Sequence, residues 1–149
     1  MEPFVSKVDA AEIIKVARVR AGVTWAQLAE AMGRPAPWAT SALLGQHPVP
    51  QAEAEKVGEM LGLDAAVVEA LQAQPTRAGV GDALADPTIY RFHEALAVYG
   101  PAIKELIHEE FGDGIMSAIN FSMSVERRED PEGDRVVVTF DGKFLDYRW

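Results

Sequence analysis

The chain has 149 residues, 48% of them hydrophobic and 25% charged, the composition of a folded globular protein with room for one domain or two small ones. It has no cysteine, which excludes disulfides, thiolate ligands and thiol nucleophiles, and its three histidines, His47, His93 and His108, are too widely spaced for a local metal motif, so no metal is assigned. A net charge of -9 opposes nucleic acid unless a basic patch overrides it, no apolar run nears the roughly 18 residues of a membrane span, and the start lacks a signal peptide's basic and apolar regions, so a cytoplasmic protein is expected.

From Val8 to about Ala73 the sequence reads as short helices with start and stop signals at their ends. Asp9 with Glu12 forms a candidate capping box and Gly22 ends the first helix; Thr24 with Gln27 repeats the device before Trp25 to Met32, which Gly33 closes. Ala36 to Leu44 follows, ended by Gly45; Pro50 opens a helix to Leu61, and Asp64 caps a fifth through Gln72. The run from Thr24 to Gly33, followed by Trp38 to Gly45, resembles the helix-turn-helix of repressor-type DNA-binding domains. The would-be recognition segment, Ala-Pro-Trp-Ala-Thr-Ser-Ala-Leu-Leu, has Arg34 before it and no other cation, and residues 1–75 carry 6 Lys or Arg against 9 Asp or Glu, a net of -3. Such a surface has little with which to neutralise phosphates or grip base edges, so this unit reads as a helical scaffold that does not bind nucleic acid.

Gln74 to Pro87 has two prolines, two glycines and no sustained periodicity, and is read as a connecting arm. Beyond it Asp86 caps a helix beginning at Pro87 and running to Tyr99, where Gly100-Pro101 is expected to break it and start a second, Pro101 to Phe111. From Phe121 the period changes to two. Phe121, Met123 and Val125 alternate with Ser122, Ser124 and Glu126, Asp130-Pro-Glu-Gly133 supplies a turn, Arg135 to Phe140 is strand-like, and Asp141-Gly142 predicts a second hairpin turn before a third strand, Lys143 to Tyr147. A helical pair and three short strands bury only a modest core, so self-association is expected to cover them.

The helix Thr88 to Tyr99 carries the first chemical signal. At about 100° per residue, Ile89, Phe92, Leu96 and Tyr99 form one apolar stripe. The opposite side holds Tyr90, His93 and Ala97, and the only formal charges are Arg91 and Glu94, one turn apart. A surface ion pair of this kind is worth about 0.2–0.5 kcal/mol; a helix so nearly apolar all round is instead expected to be covered on more than one face, with the pair partly buried and serving an anion. The second signal is Phe111-Gly-Asp-Gly-Ile-Met-Ser-Ala-Ile-Asn-Phe121. Gly112 and Gly114 permit a sharp turn whose amides could form an anion nest, and Ser117 is the one hydroxyl in the apolar run from Ile115 to Ile119. Nothing there resembles a nucleophile elbow, and hydrogen bonding to an anion suits Ser117 better than attack.

Asp86-Pro-Thr-Ile-Tyr-Arg-Phe-His-Glu94, Val98-Tyr-Gly100, Lys104-Glu-Leu-Ile-His-Glu109, Phe111 to Phe121, Asp130-Pro-Glu-Gly133 and Asp141-Gly-Lys143 together resemble the cyanase family, the cyanate hydratases or cyanate lyases. The resemblance implies an α+β, mostly α fold: a repressor-like helical bundle over 1–75, an arm over 76–87, and a catalytic and dimerisation domain over 88–149 whose helical pair and small antiparallel sheet form an intertwined dimer. By position it implies Arg91, Glu94 and Ser117 as catalytic residues and Arg91, Ser117 and Ala118 as substrate contacts. It further implies bicarbonate as co-substrate, no metal or organic cofactor, and a decamer of five dimers. Two monoanions must meet and become a dianion, which an arginine fork repeated by neighbouring copies would favour. The competing reading is a helix-turn-helix transcriptional regulator with a ligand-sensing C-terminal domain.

Overall fold

The computed structural model describes residues 4–76 and 81–148. Among them, 4–76 group with 123–139 and 81–122 with 140–148 as two compact units. No described helix is long and apolar enough to cross a membrane.

Five helices make the first body: α1 (Lys7–Ala21), α2 (Trp25–Met32), α3 (Ala36–Leu43), α4 (Gln51–Leu61) and α5 (Ala65–Gln72). Their ends follow local chemistry. Thr24 and Gln27 form a reciprocal capping box, Gly22 and Gly33 close α1 and α2 in the left-handed region, and Pro50 and Asp64 stand at the starts of α4 and α5, Asp64 without the side-chain cap bond expected of it. The box of α1 lies one turn before the expected Asp9 and Glu12: Ser6 is the cap, its hydroxyl accepting from the Asp9 amide at 3.0 Å while the Asp9 carboxylate accepts the Ser6 amide at 3.2 Å. Asp9 is already inside the helix, so its carboxylate can serve only as the third residue of the box. The Ser6 hydroxyl also donates to the Asp9 carboxylate at 2.6 Å, and this bond first, then the one from the Ser6 amide, holds the Asp9 carboxyl below its ordinary range.

Ile14, Leu28, Leu43, Val49, Val57 and Leu71 are fully buried at the centre of this body, each contributing about 1.5–3 kcal/mol by leaving water. The cation beside α3 is engaged with α4. Arg34 Nε and Nη2 reach the Glu53 carboxylate at 3.0 and 2.9 Å, and its guanidinium lies 4.4 Å from the Trp38 ring centre, which itself stacks on His47. A guanidinium held this way fastens two helices together and is poorly placed to meet a phosphate.

The C-terminal residues depart from expectation in three ways. After a short 3-10 turn, Gly81–Ala85, one helix α6 (Pro87–Phe111) replaces the pair, with Pro101 inside it. A proline removes one backbone bond without having to end a helix, and the apolar stripe Phe92, Leu96, Tyr99, Ile103 and Leu106 continues in register across it. Two long strands replace three short ones: β1 (Gly114–Arg128) and β2 (Arg135–Asp146) pair in one antiparallel sheet. Asp141-Gly142 lies within β2 and makes no turn. The turn at Asp130 to Gly133 forms, with the Asp130 carboxylate accepting from the Glu132 amide at 2.9 Å and Gly133 at φ 124°.

Across the sheet Phe121 meets Phe140 while Ser117 meets Gly142, so four steps along β1 run against two along β2 and β1 must take up a surplus. It does so at Ser117, whose hydroxyl accepts from the amides of Ile119 and Asn120 at 3.0 and 2.9 Å. In an extended strand the third residue onward would lie about 10 Å away, so the chain curls here as a bulge. The curl interrupts the period of two, which is why alternation is visible only after Phe121.

Candidate active site

The N-terminus of α6 is fixed by Asp86, whose carboxylate accepts from the amides of Thr88 and Ile89 at 2.8 and 3.3 Å, and by Pro87 in the first helical position. Helical geometry then sets Arg91 and Glu94 one turn apart, and Arg91 Nη1 donates to Glu94 Oε2 at 3.0 Å. Their side chains are 70% and 53% exposed. The partial burial expected for the pair is therefore not supplied within one chain, because α6 has no buried residue at all. At this exposure the ion pair adds no more than about 0.5 kcal/mol to stability, leaving the guanidinium's other donors open to solvent.

Ser117 is the opposite case. It is only 5% exposed, the one buried polar residue among those described. Its two acceptor positions are filled by the Ile119 and Asn120 amides, which leaves the O–H as the group it can still offer. A hydroxyl whose lone pairs accept two N–H groups is a poor nucleophile and a polarised donor. It is suited to a carboxylate-like oxygen, the role expected of it in place of attack.

Of the glycines before it, Gly112 does not offer its amide to the anticipated nest. Gly112 turns the chain out of α6 at φ 91°, but its amide donates to the His108 carbonyl at 2.9 Å. Gly114 is buried at the start of β1, its open side filled by the Leu145 carbonyl and the Phe144 ring. Ala118, the remaining expected contact, is exposed within the curl. The structure thus joins Arg91 to Glu94 on α6 and sets Ser117 and Ala118 on β1, and no hydrogen bond among the described residues links the two groups. No cluster of three or more His, Asp or Glu among the described residues is arranged to hold a metal ion.

One residue near the site escapes a sequence reading. Gly142, on β2, has no room for a side chain because the Ser117 carbonyl and the Met116 side chain occupy the place a β-carbon would take. The only signal in the sequence is the Asp-Gly pair, which reads as a turn.

Comparison with known proteins matches both halves of the chain. A family described as "Cyanate hydratase, N-terminal" covers residues 7–75, and one described as "Cyanate lyase C-terminal domain" covers residues 82–149. A cyanate hydratase of Mycolicibacterium vanbaalenii is 64% identical over 142 residues, spanning 95% of this chain and 93% of the relative. One from Mycobacterium avium is 59% identical over 139 residues, 93% of this chain and 90% of the relative. The crystal structure of cyanase from T. urticae superposes with a TM-score of 0.78 at 35% identity, covering 91% of this chain and 96% of that one. The regulator reading finds no support in these likenesses, and the chain belongs to the cyanate lyase family of enzymes.

Proposed function

We propose that the chain catalyses the bicarbonate-dependent decomposition of cyanate to ammonia and carbon dioxide, with Arg91, Glu94 and Ser117 as its catalytic residues and Arg91, Ser117 and the Ala118 amide as its substrate contacts. The observation that carries the site assignment is the Ser117 hydroxyl, buried, doubly hydrogen-bonded as an acceptor and left with one proton to donate.

A bicarbonate oxygen attacks the cyanate carbon, giving a dianionic carboxy-carbamate-like adduct. The adduct loses carbon dioxide to leave carbamate, which falls apart to ammonia and a second carbon dioxide. Two protons are consumed overall, so a proton donor and a stabiliser of doubled negative charge are both required. Arg91 supplies fixed, planar donors to the oxygens on which charge accumulates. Ser117 donates one further hydrogen bond, and Glu94 orients the guanidinium or carries a proton. Bicarbonate is the co-substrate and no metal or organic cofactor takes part.

The reading places the enzyme in the cytoplasm as a decamer of five dimers, with sites built from several copies. Its support is α6, whose apolar stripe and ion pair both stand uncovered in a single chain; copies of Arg91 brought together would offset the repulsion between two anions. The test is ammonia release from cyanate with and without bicarbonate. Release that requires bicarbonate is expected, and release indifferent to it, or none, overturns the reading.

A further inference from the structure

The curl of β1 that shapes Ser117 needs an opposing surface, and β2 provides it at a single residue. A β-carbon built on Gly142 would lie 2.6 Å from the Ser117 carbonyl oxygen, with the Met116 side chain closer still. Such separations are not met between real atoms. The Met116 side chain could swing aside, since it is flexible and partly exposed, but the Ser117 carbonyl is backbone and can yield only if the curl yields. Ser117, Met116 and Gly142 lie in one compact unit.

We infer that Gly142 is a positioning residue for Ser117: by lacking a side chain it lets β2 close onto the Met116 and Ser117 backbone, and so holds the curl in which the Ile119 and Asn120 amides cap the Ser117 hydroxyl. The catalytic meaning rests on the role proposed for Ser117; the structural statement does not. Any side chain at 142 pushes the Ser117 carbonyl outward, lengthens the hydrogen bonds of 3.0 and 2.9 Å that the Ile119 and Asn120 amides donate to the Ser117 hydroxyl, and lets the hydroxyl turn away from the direction in which it donates. The glycine is therefore required by a contact across the sheet. Its backbone needs no left-handed angle, for Gly142 is absent from the glycines with positive φ.

The experiment compares wild type, Gly142→Ala, Ser117→Ala and the double variant as assembled full-length protein. Steady-state cyanate turnover is measured alongside amide hydrogen exchange in the peptide spanning Ile119 and Asn120. Gly142→Ala is expected to speed exchange there at least tenfold and to lower kcat at least tenfold, while adding nothing to the loss already caused by Ser117→Ala, because both act through one hydroxyl. Wild-type exchange in Gly142→Ala overturns the inference, as does a loss that adds in full to that of Ser117→Ala. Should Gly142→Ala fail to fold, Gly142→Ala with Met116→Ala removes the side-chain part of the clash and keeps the carbonyl part; fast exchange is still expected, and wild-type exchange overturns the proposal. If the wild-type protein itself releases no ammonia, the proposed function falls and the exchange measurement still decides the positioning.

Discussion

The amide of Asn120 donates to the hydroxyl of Ser117 at 2.9 Å, though the two residues are three apart in what is otherwise a β-strand. Removing the hydroxyl strands this amide and that of Ile119 and takes away the outward donor. Ser117→Ala is expected to lower kcat/KM about 100-fold or more and to cost about 1–3 kcal/mol of stability, the first read by ammonia release and the second by thermal unfolding. A covalent cyanate adduct on Ser117 in mass spectra would contradict the donor role.

Arg91 and Glu94 separate in the same assay. Arg91→Leu deletes the planar donors and is expected to lower turnover by about 100- to 1000-fold, with the sedimentation profile unchanged because an exposed pair contributes little to stability. Glu94→Gln keeps an oxygen for Arg91 and should retain more activity than Glu94→Ala. Equal losses in these two variants would assign Glu94 to proton transfer instead of orientation.

A planar dianion should occupy a site made for a dianionic adduct. Oxalate is expected to inhibit competitively, and its affinity to fall together with activity in Arg91→Leu. Oxalate that binds the variant as tightly as wild type would remove Arg91 from the anion site.

The N-terminal cap can be tested apart from catalysis. Ser6→Ala breaks the box with Asp9 and should cost about 1 kcal/mol, read in the melting temperature, with activity unchanged. The Asp9 carboxyl is held below its ordinary range by the Ser6 hydroxyl and amide. A carboxylate with a lowered folded pKa adds stability above its unfolded value and gives it up as pH falls through the folded one. The gap between wild type and Ser6→Ala is therefore widest at neutral pH and narrows below about pH 4.

How far the sequence reached follows from how far each interaction reaches. Thr24 with Gln27 caps amides within one turn, Gly33 gives its own amide to the carbonyls just before it, and Pro50 and Asp64 mark helix starts by position, so helix ends are legible residue by residue. The opposite holds for Pro101 and for Asp141-Gly142. Both are local breakers in isolation: a proline removes one backbone bond without having to end a helix, so α6 runs through it, and Asp141-Gly142 is overridden by a facing strand that needs the glycine as open space. Ser117 stands out as the hydroxyl in an apolar run, yet its curl leaves no mark in the sequence, because the surplus in β1 is visible only once β2 is laid against it. Arg91 and Glu94 stand out as the charges on an apolar helix, but within one chain both remain exposed, and the burial expected of them is not found.

The uncovered α6 also divides the way this chain must fold. The five-helix body closes one core from its own helices, from Ala10 and Ile14 through Leu28 and Leu43 to Leu71, so it can form at a rate set by the chain alone. A 25-residue helix with no buried residue gains little until another surface meets it. On the proposed assembly its ordering is a collision event whose rate scales with protein concentration, and refolding after dilution is expected to recover the N-terminal fluorescence of Trp25 and Trp38 well before it recovers any turnover.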